Sequence, residues 1–146
     1  MTLDVVLRYR TRRPWAPGPV SLRRWARLAA GGHHGELGIR VVGAGESRAL
    51  NERWRGKSHP TNVLSFPAAP ALRDHVIGDI VVCAPVVARE AREQGKALAA
   101  HWAHMVIHGA LHLLGFDHVR QADARRMESR ERALLARLGI GDPYGD

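Results

Sequence analysis

The stretch His108-Gly-Ala-Leu-His112-Leu-Leu-Gly115-Phe-Asp117-His118 constrains the chain more than any other. It closes an apolar, Ala-rich run whose pattern predicts a helix from about Ala97 to Leu114. Two histidines four apart share one helix face, so His108 and His112 can reach one ion. His118 follows six residues later and would point away on a continuing helix. It joins the pair only if the helix stops and the chain doubles back. Gly115 allows that, because glycine takes the left-handed conformation that ends helices. Three imidazoles then occupy three corners of a tetrahedron and leave the fourth for water, as in a catalytic rather than a closed structural zinc site. The zinc-protease pattern H-E-x-x-H-x-x-G-x-x-H has the same histidines and glycine. Here Gly109 stands where that pattern places its general base.

The same helix carries His101 and His104. His104 and His112 are separated by roughly 12 Å at about 1.5 Å per residue, too far to share a small ion. Only one i, i+4 pair can ligate, and Gly115 with His118 selects the later one. His104 is then an outer hydrogen-bond partner, a substrate-side group or a core histidine, and His101 is expected at the surface.

The rest of the pattern alternates strands and helices. Leu3 to Tyr9 reads as a strand, and Arg10 to Pro19 as a loop. Ser21 to Ala30 reads as a helix with Ser21 as N-cap and Leu22, Trp25, Leu28 and Ala29 as its core face. Gly31-Gly32 ends it, and His33 and His34 fall in an exposed loop. Glu36 to Val42 is a second strand. A helix starting near Gly45 or Ser47 runs to about Trp54, with Leu50 and Trp54 predicted as its buried face. Val63 to Phe66 is a short strand, Ala68 to His75 a loop, and Ile77 to Cys83 a central strand. Asp79 in that strand needs a partner. It either orients a ligand histidine or makes a structural hydrogen bond. Pro85 suits the first turn of a helix to about Gln94. The last helix runs from about Ala122 to Leu138, with Met127, Leu134, Leu135 and Leu138 as its apolar side and Gly139 as its cap.

The 146 residues suit one domain, 1–146. Lys and Arg outnumber Asp and Glu 22 to 14, a net charge of +8 with neutral histidine, which suits a polyanion such as nucleic acid. The one cysteine, Cys83, excludes an intrachain disulfide and a Cys-based zinc site, and its apolar surroundings predict a buried thiol. No apolar run reaches membrane-spanning length and no signal-peptide layout opens the chain, so a cytoplasmic location is expected.

Three segments together resemble the YbeY family of bacterial endoribonucleases required for ribosomal RNA maturation. They are Arg55-Gly56-Lys57-x-x-Pro60-Thr61-Asn62-Val63-Leu64-Ser65-Phe66-Pro67, then Ile77-Gly78-Asp79-Ile80, then His104-x-x-x-His108-Gly-x-Leu-His112-Leu-x-Gly115-Phe116-Asp117-His118. Met127-x-x-x-Glu131 also fits, and the resemblance covers about Gly45 to Ile140. Ser58-His59 departs from the common acidic and basic pair, and Phe116 replaces the usual Tyr. The resemblance implies an α+β domain: a small mixed β-sheet packed by helices, with the metal site at the end of a core helix. It also implies zinc-dependent, single-strand-specific RNA cleavage on the small ribosomal subunit. The family's functional arginine maps onto Arg55 and its metal ligands onto His108, His112 and His118.

These residues suit the chemistry. One metal ion per chain can polarise a phosphoryl oxygen and acidify bound water; imidazole spacing alone does not distinguish zinc from copper, iron or nickel. Arg55 can hold phosphate oxygens bidentately and offset transition-state charge. Lys57 offers a further phosphate contact, and Asp117 is a candidate base, a hydrogen-bond partner of a metal ligand, or a turn-forming residue. Two rivals are a zinc hydrolase of protease type, disfavoured by Gly109 and the positive charge, and a ribosome assembly or RNA-binding factor whose zinc is mainly structural.

Overall fold

The computed structural model describes residues 3–116 and 119–145. Asp117 and His118 lie outside the described residues. In chain order come β1 (Leu3–Tyr9), α1 (Pro19–Ala30), β2 (Gly35–Val42), α2 (Ala44–Arg55), β3 (Val63–Pro67), a 3-10 turn (Pro70–Leu72), β4 (Val76–Cys83), α3 (Ala84–Glu93), α4 (Leu98–Leu113) and α5 (Gln121–Arg137). The strands form one sheet in the order β1-β2-β4-β3. β1, β2 and β4 are parallel, and β3 pairs antiparallel with β4. This is the mixed sheet and α+β class expected. The helices connecting β1 to β2 and crossing to β4 are what a parallel register requires.

Strand alternation sends side chains to two faces. Leu37, Ile39, Val41, Ile80 and Val82 join the larger core with α1, α4 and α5. Leu64, Val81 and Cys83 turn the other way into a smaller cluster with Val86 of α3, and Leu50 of α2 and Phe66 pack against it. β4 supplies both clusters, which is why it reads as continuously apolar.

Three local expectations change. α1 starts earlier than Ser21: Gly18 is the N-cap and Pro19 opens the helix, using a fixed φ and a missing N–H where neither costs a hydrogen bond. α2 buries Ser47 and Asn51 rather than Trp54. Ser47 donates to Thr61 O at 3.0 Å and Asn51 to His59 O at 2.8 Å, so this face of α2 holds down the loop to β3 through polar groups. Trp54 is 60% exposed. His101, expected at the surface, is buried because Glu90 of α3 accepts a hydrogen bond from its Nε2 at 2.9 Å. Asn62 Nδ2 donates to the same carboxylate at 3.1 Å. Burial pushes Glu90 upward, but the bonds from His101 and Asn62 outweigh it and hold the carboxyl below its ordinary range.

Candidate metal centre

α4 is the buried core helix. Trp102, Ala103, Val106, Ile107, Ala110 and Leu111 lie in the core, leaving a narrow strip of His108 and His112, both half-buried, near its C-terminal end. The helix ends as predicted: Leu114 is the C-cap, and Gly115 adopts φ +98°, where a side chain is strained. The chain therefore turns where a third ligand would have to return. His118 itself lies outside the described residues.

Gly109 explains the missing glutamate. A Cβ there would sit 2.9 Å from Ile80 Cγ2, 3.2 Å from Val63 Cγ2 and 3.3 Å from Ser65 Oγ. Ser65 Oγ also donates to Gly109 O at 3.1 Å. The helix lies against β3 and β4 here with no room for a side chain, so the protease-type base is excluded sterically.

Glu131 of α5 is the main feature the sequence reading gave no role. It is fully buried and sits between His104 and His108. Burial pushes its carboxyl up, yet hydrogen bonds from His104 and His108 prevail and hold it down at about 2. An ionised carboxylate only accepts, so His108 Nδ1–H donates to Oε1 at 2.9 Å and His104 Nε2–H to Oε2 at 2.5 Å. The Tyr144 hydroxyl donates to Oε2 at 2.7 Å. Burial depresses the pKa of His104 and raises that of Tyr144, so His104 and Tyr144 favour their neutral forms. The signal for Glu131 was available: it shares the buried side of α5 with Met127, Leu134 and Leu135, and a carboxylate there requires partners.

Among the described residues, Asp79 orients no ligand histidine. Its side chain is exposed and lies over Gly38 of β2, beside Arg8 and Arg40. Strand alternation explains this: Ile80 faces α4, so Asp79 faces away from it.

His104, His108 and Glu131 place ligand atoms within 4.8 Å of one another, a group able to hold a metal ion. Their hydrogen bonds also suit a second arrangement. Donation from Nδ1 of His108 to a carboxylate fixes the ring and tautomer and turns Nε2 away from Glu131, the usual support for a histidine that ligates through its other nitrogen. His112 lies one turn further on, lining an open cleft of about 460 Å³ with His33, Arg73 and Ile77.

Arg55 ends α2. Gly56 caps that helix in the left-handed conformation, and Arg55 and Lys57 are both exposed. Among the described residues neither side chain makes an ion pair. The loop after them leads into β3, whose Val63 and Ser65 touch α4 at Gly109, next to His108.

The endoribonuclease YbeY family model matches residues 23–139. The chain belongs to the YbeY family. An endoribonuclease YbeY of Halorhodospira halophila is 55% identical, with 88% of each chain covered. That of Alkalilimnicola ehrlichii is 57% identical over 88% of this chain and 82% of the relative, and that of Stenotrophomonas maltophilia 51% over 97% and 93%. The solution structure of TM1509 from Thermotoga maritima is similar in fold (TM-score 0.53, 24% identity), covering 97% of this chain and 100% of that one. The YbeY match spans all four histidines of α4, together with Glu131 and Arg55. Among the described residues, no helix is long and apolar enough to cross a membrane.

Proposed function

We propose that this chain is a zinc-dependent endoribonuclease that cleaves single-stranded RNA in the cytoplasm during maturation and quality control of small-subunit ribosomal RNA. The observation that carries the reading is the clamp of Glu131 on His108 Nδ1, at the point where the family motif needs a ligand. In this reading His108, His112 and His118 hold one ion, and Glu131 orients His108 rather than ligating. Bound zinc supplies Lewis acidity toward a phosphoryl oxygen and lowers the pKa of coordinated water. The chain's own residues do the rest. Arg55 holds the scissile phosphate and offsets charge that develops in the transition state. Lys57 adds a phosphate contact, and the +8 net charge draws the polyanion in.

The test compares RNase-free wild type with His108→Ala and Arg55→Ala in cleavage rate, RNA affinity and metal content. His108→Ala should lose metal and cleavage. Arg55→Ala should keep its metal and most of its affinity, while cleavage falls by about 10²–10³. Equal cleavage by wild type and His108→Ala would expose a contaminating nuclease and overturn the reading. Retained wild-type cleavage in Arg55→Ala would remove its catalytic role.

A further inference from the structure

Trp54 is the exposed aromatic that helical spacing had placed in the core. Its indole is 60% accessible, touching Phe66 edge-on with ring centroids 6.1 Å apart at 66°. The Arg53 guanidinium lies over it, 5.2 Å from the ring centroid. Exposed Arg53, Arg55 and Lys57 flank the ring within four residues, against one carboxylate, Glu52. None of these three cations forms an ion pair among the described residues. A large apolar ring held open to solvent among unneutralised cations matches a ligand that is both flat and polyanionic.

We propose that Trp54 is a stacking subsite for an unpaired nucleobase of the RNA. This deepens the function proposed above and rests on it, because Arg55, the next residue, is taken there to hold the phosphate. Aromatic rings bind bases of single strands face to face and tolerate any sequence, while neighbouring cations follow the backbone. A base inside a duplex is already stacked on its neighbours and is not available. The subsite therefore selects single strands by the state of the base, not by its identity. The T-shaped contact with Phe66 braces the indole, and the capped end of α2 fixes the backbone beneath it, so less ordering entropy is lost on binding.

The experiment measures binding of a short single-stranded RNA, the same oligonucleotide with abasic sites, and a hairpin, at two salt concentrations. The proteins are metal-loaded wild type, Trp54→Ala and Trp54→Phe. Trp54→Ala should weaken single-strand binding about 5- to 150-fold, the range of one stacked base. Its affinity for the abasic strand should stay at the wild-type value. Its salt dependence should also be unchanged, since no phosphate contact is removed. Trp54→Phe should keep most of the affinity and, where Trp54→Ala is too unstable to purify, carries the test through loss of the RNA-induced fluorescence quenching expected of wild type. Wild-type affinity in Trp54→Ala, equal losses on normal and abasic strands, or undiminished quenching in Trp54→Phe would overturn the subsite. A wild type that cleaves RNA while Trp54→Ala binds normally refutes only the stacking. A wild type that neither binds nor cleaves RNA refutes the function with it.

Discussion

Replacing Glu131 by Gln keeps the size of the side chain and removes its charge. The structure says what that costs. Holding a buried carboxyl at about 2 instead of 4.5 is worth on the order of 3 kcal/mol to the folded state at neutral pH. A second route gives a similar figure. Glutamine keeps one acceptor oxygen where Glu131 offers two, so one imidazole N–H faces an amide N–H₂, and an unsatisfied buried donor costs about 1–3 kcal/mol. Denaturant unfolding of metal-free protein at neutral pH should show a loss of this size. Because the folded-state pKa is depressed, the carboxylate's contribution is complete above about 4.5 and fades as the pH falls toward 2. The gap between wild type and Glu131→Gln should close over that interval. The same variant should bind zinc about 10–100-fold more weakly in a chelator competition, the usual cost of losing a partner that orients a ligand. Unchanged zinc affinity would refute the orienting role. Complete loss of zinc in Glu131→Gln, with full retention in His118→Ala, would make Glu131 a ligand itself alongside His104 and His108.

Gly109→Ala should destabilise the protein by a net of about 1 kcal/mol in thermal unfolding: helix propensity favours alanine by about 1 kcal/mol, but the new methyl overpacks against Ile80 and Val63. A more stable variant would contradict the close helix–sheet approach. Glu90→Gln should cost about 1 kcal/mol at neutral pH through its bonds to His101 and Asn62. Its carboxyl is held low in the folded state, so the loss should vanish as the pH drops below the ordinary carboxylate range; a pH-independent loss would argue against it. RNA affinity of the wild type should fall steeply with salt, as counterion release requires, and a flat titration would remove the electrostatic reading.

The strands and helices were legible because their periodicities are clean. β1 runs from Leu3 to Tyr9 as read, and the others match within a few residues. The stop at Gly115 was legible from residue type alone. What escaped were contacts between elements. His101 was misplaced because α4 is buried around most of its circumference, so its histidines carry no polar-face signal. Trp54 was misplaced because spacing from Leu50 finds a helix face but not whether the sheet extends beneath it; β3 offers it only a T-shaped contact with Phe66. Glu131 and Tyr144 meet α4 from positions 23 and 40 residues distant, beyond any local pattern. The charge of Asp79 is plain in the sequence, but the strand pleat turns it away from α4.

The bond between His108 and Glu131 joins two helices as well as two side chains, and this has a thermodynamic consequence. Under the proposed ligand set, if docking of α5 tightens zinc binding by a given factor, bound zinc must tighten docking of α5 by the same factor. A factor of about 10–100 would lower the undocked population of α5 equally. Amide hydrogen exchange along Gln121–Arg137 would then slow by that ratio on loading wherever it proceeds through undocking. The ion would serve as a reversible fastener between α4 and α5, and loss of metal would loosen a helix before it unfolded the domain.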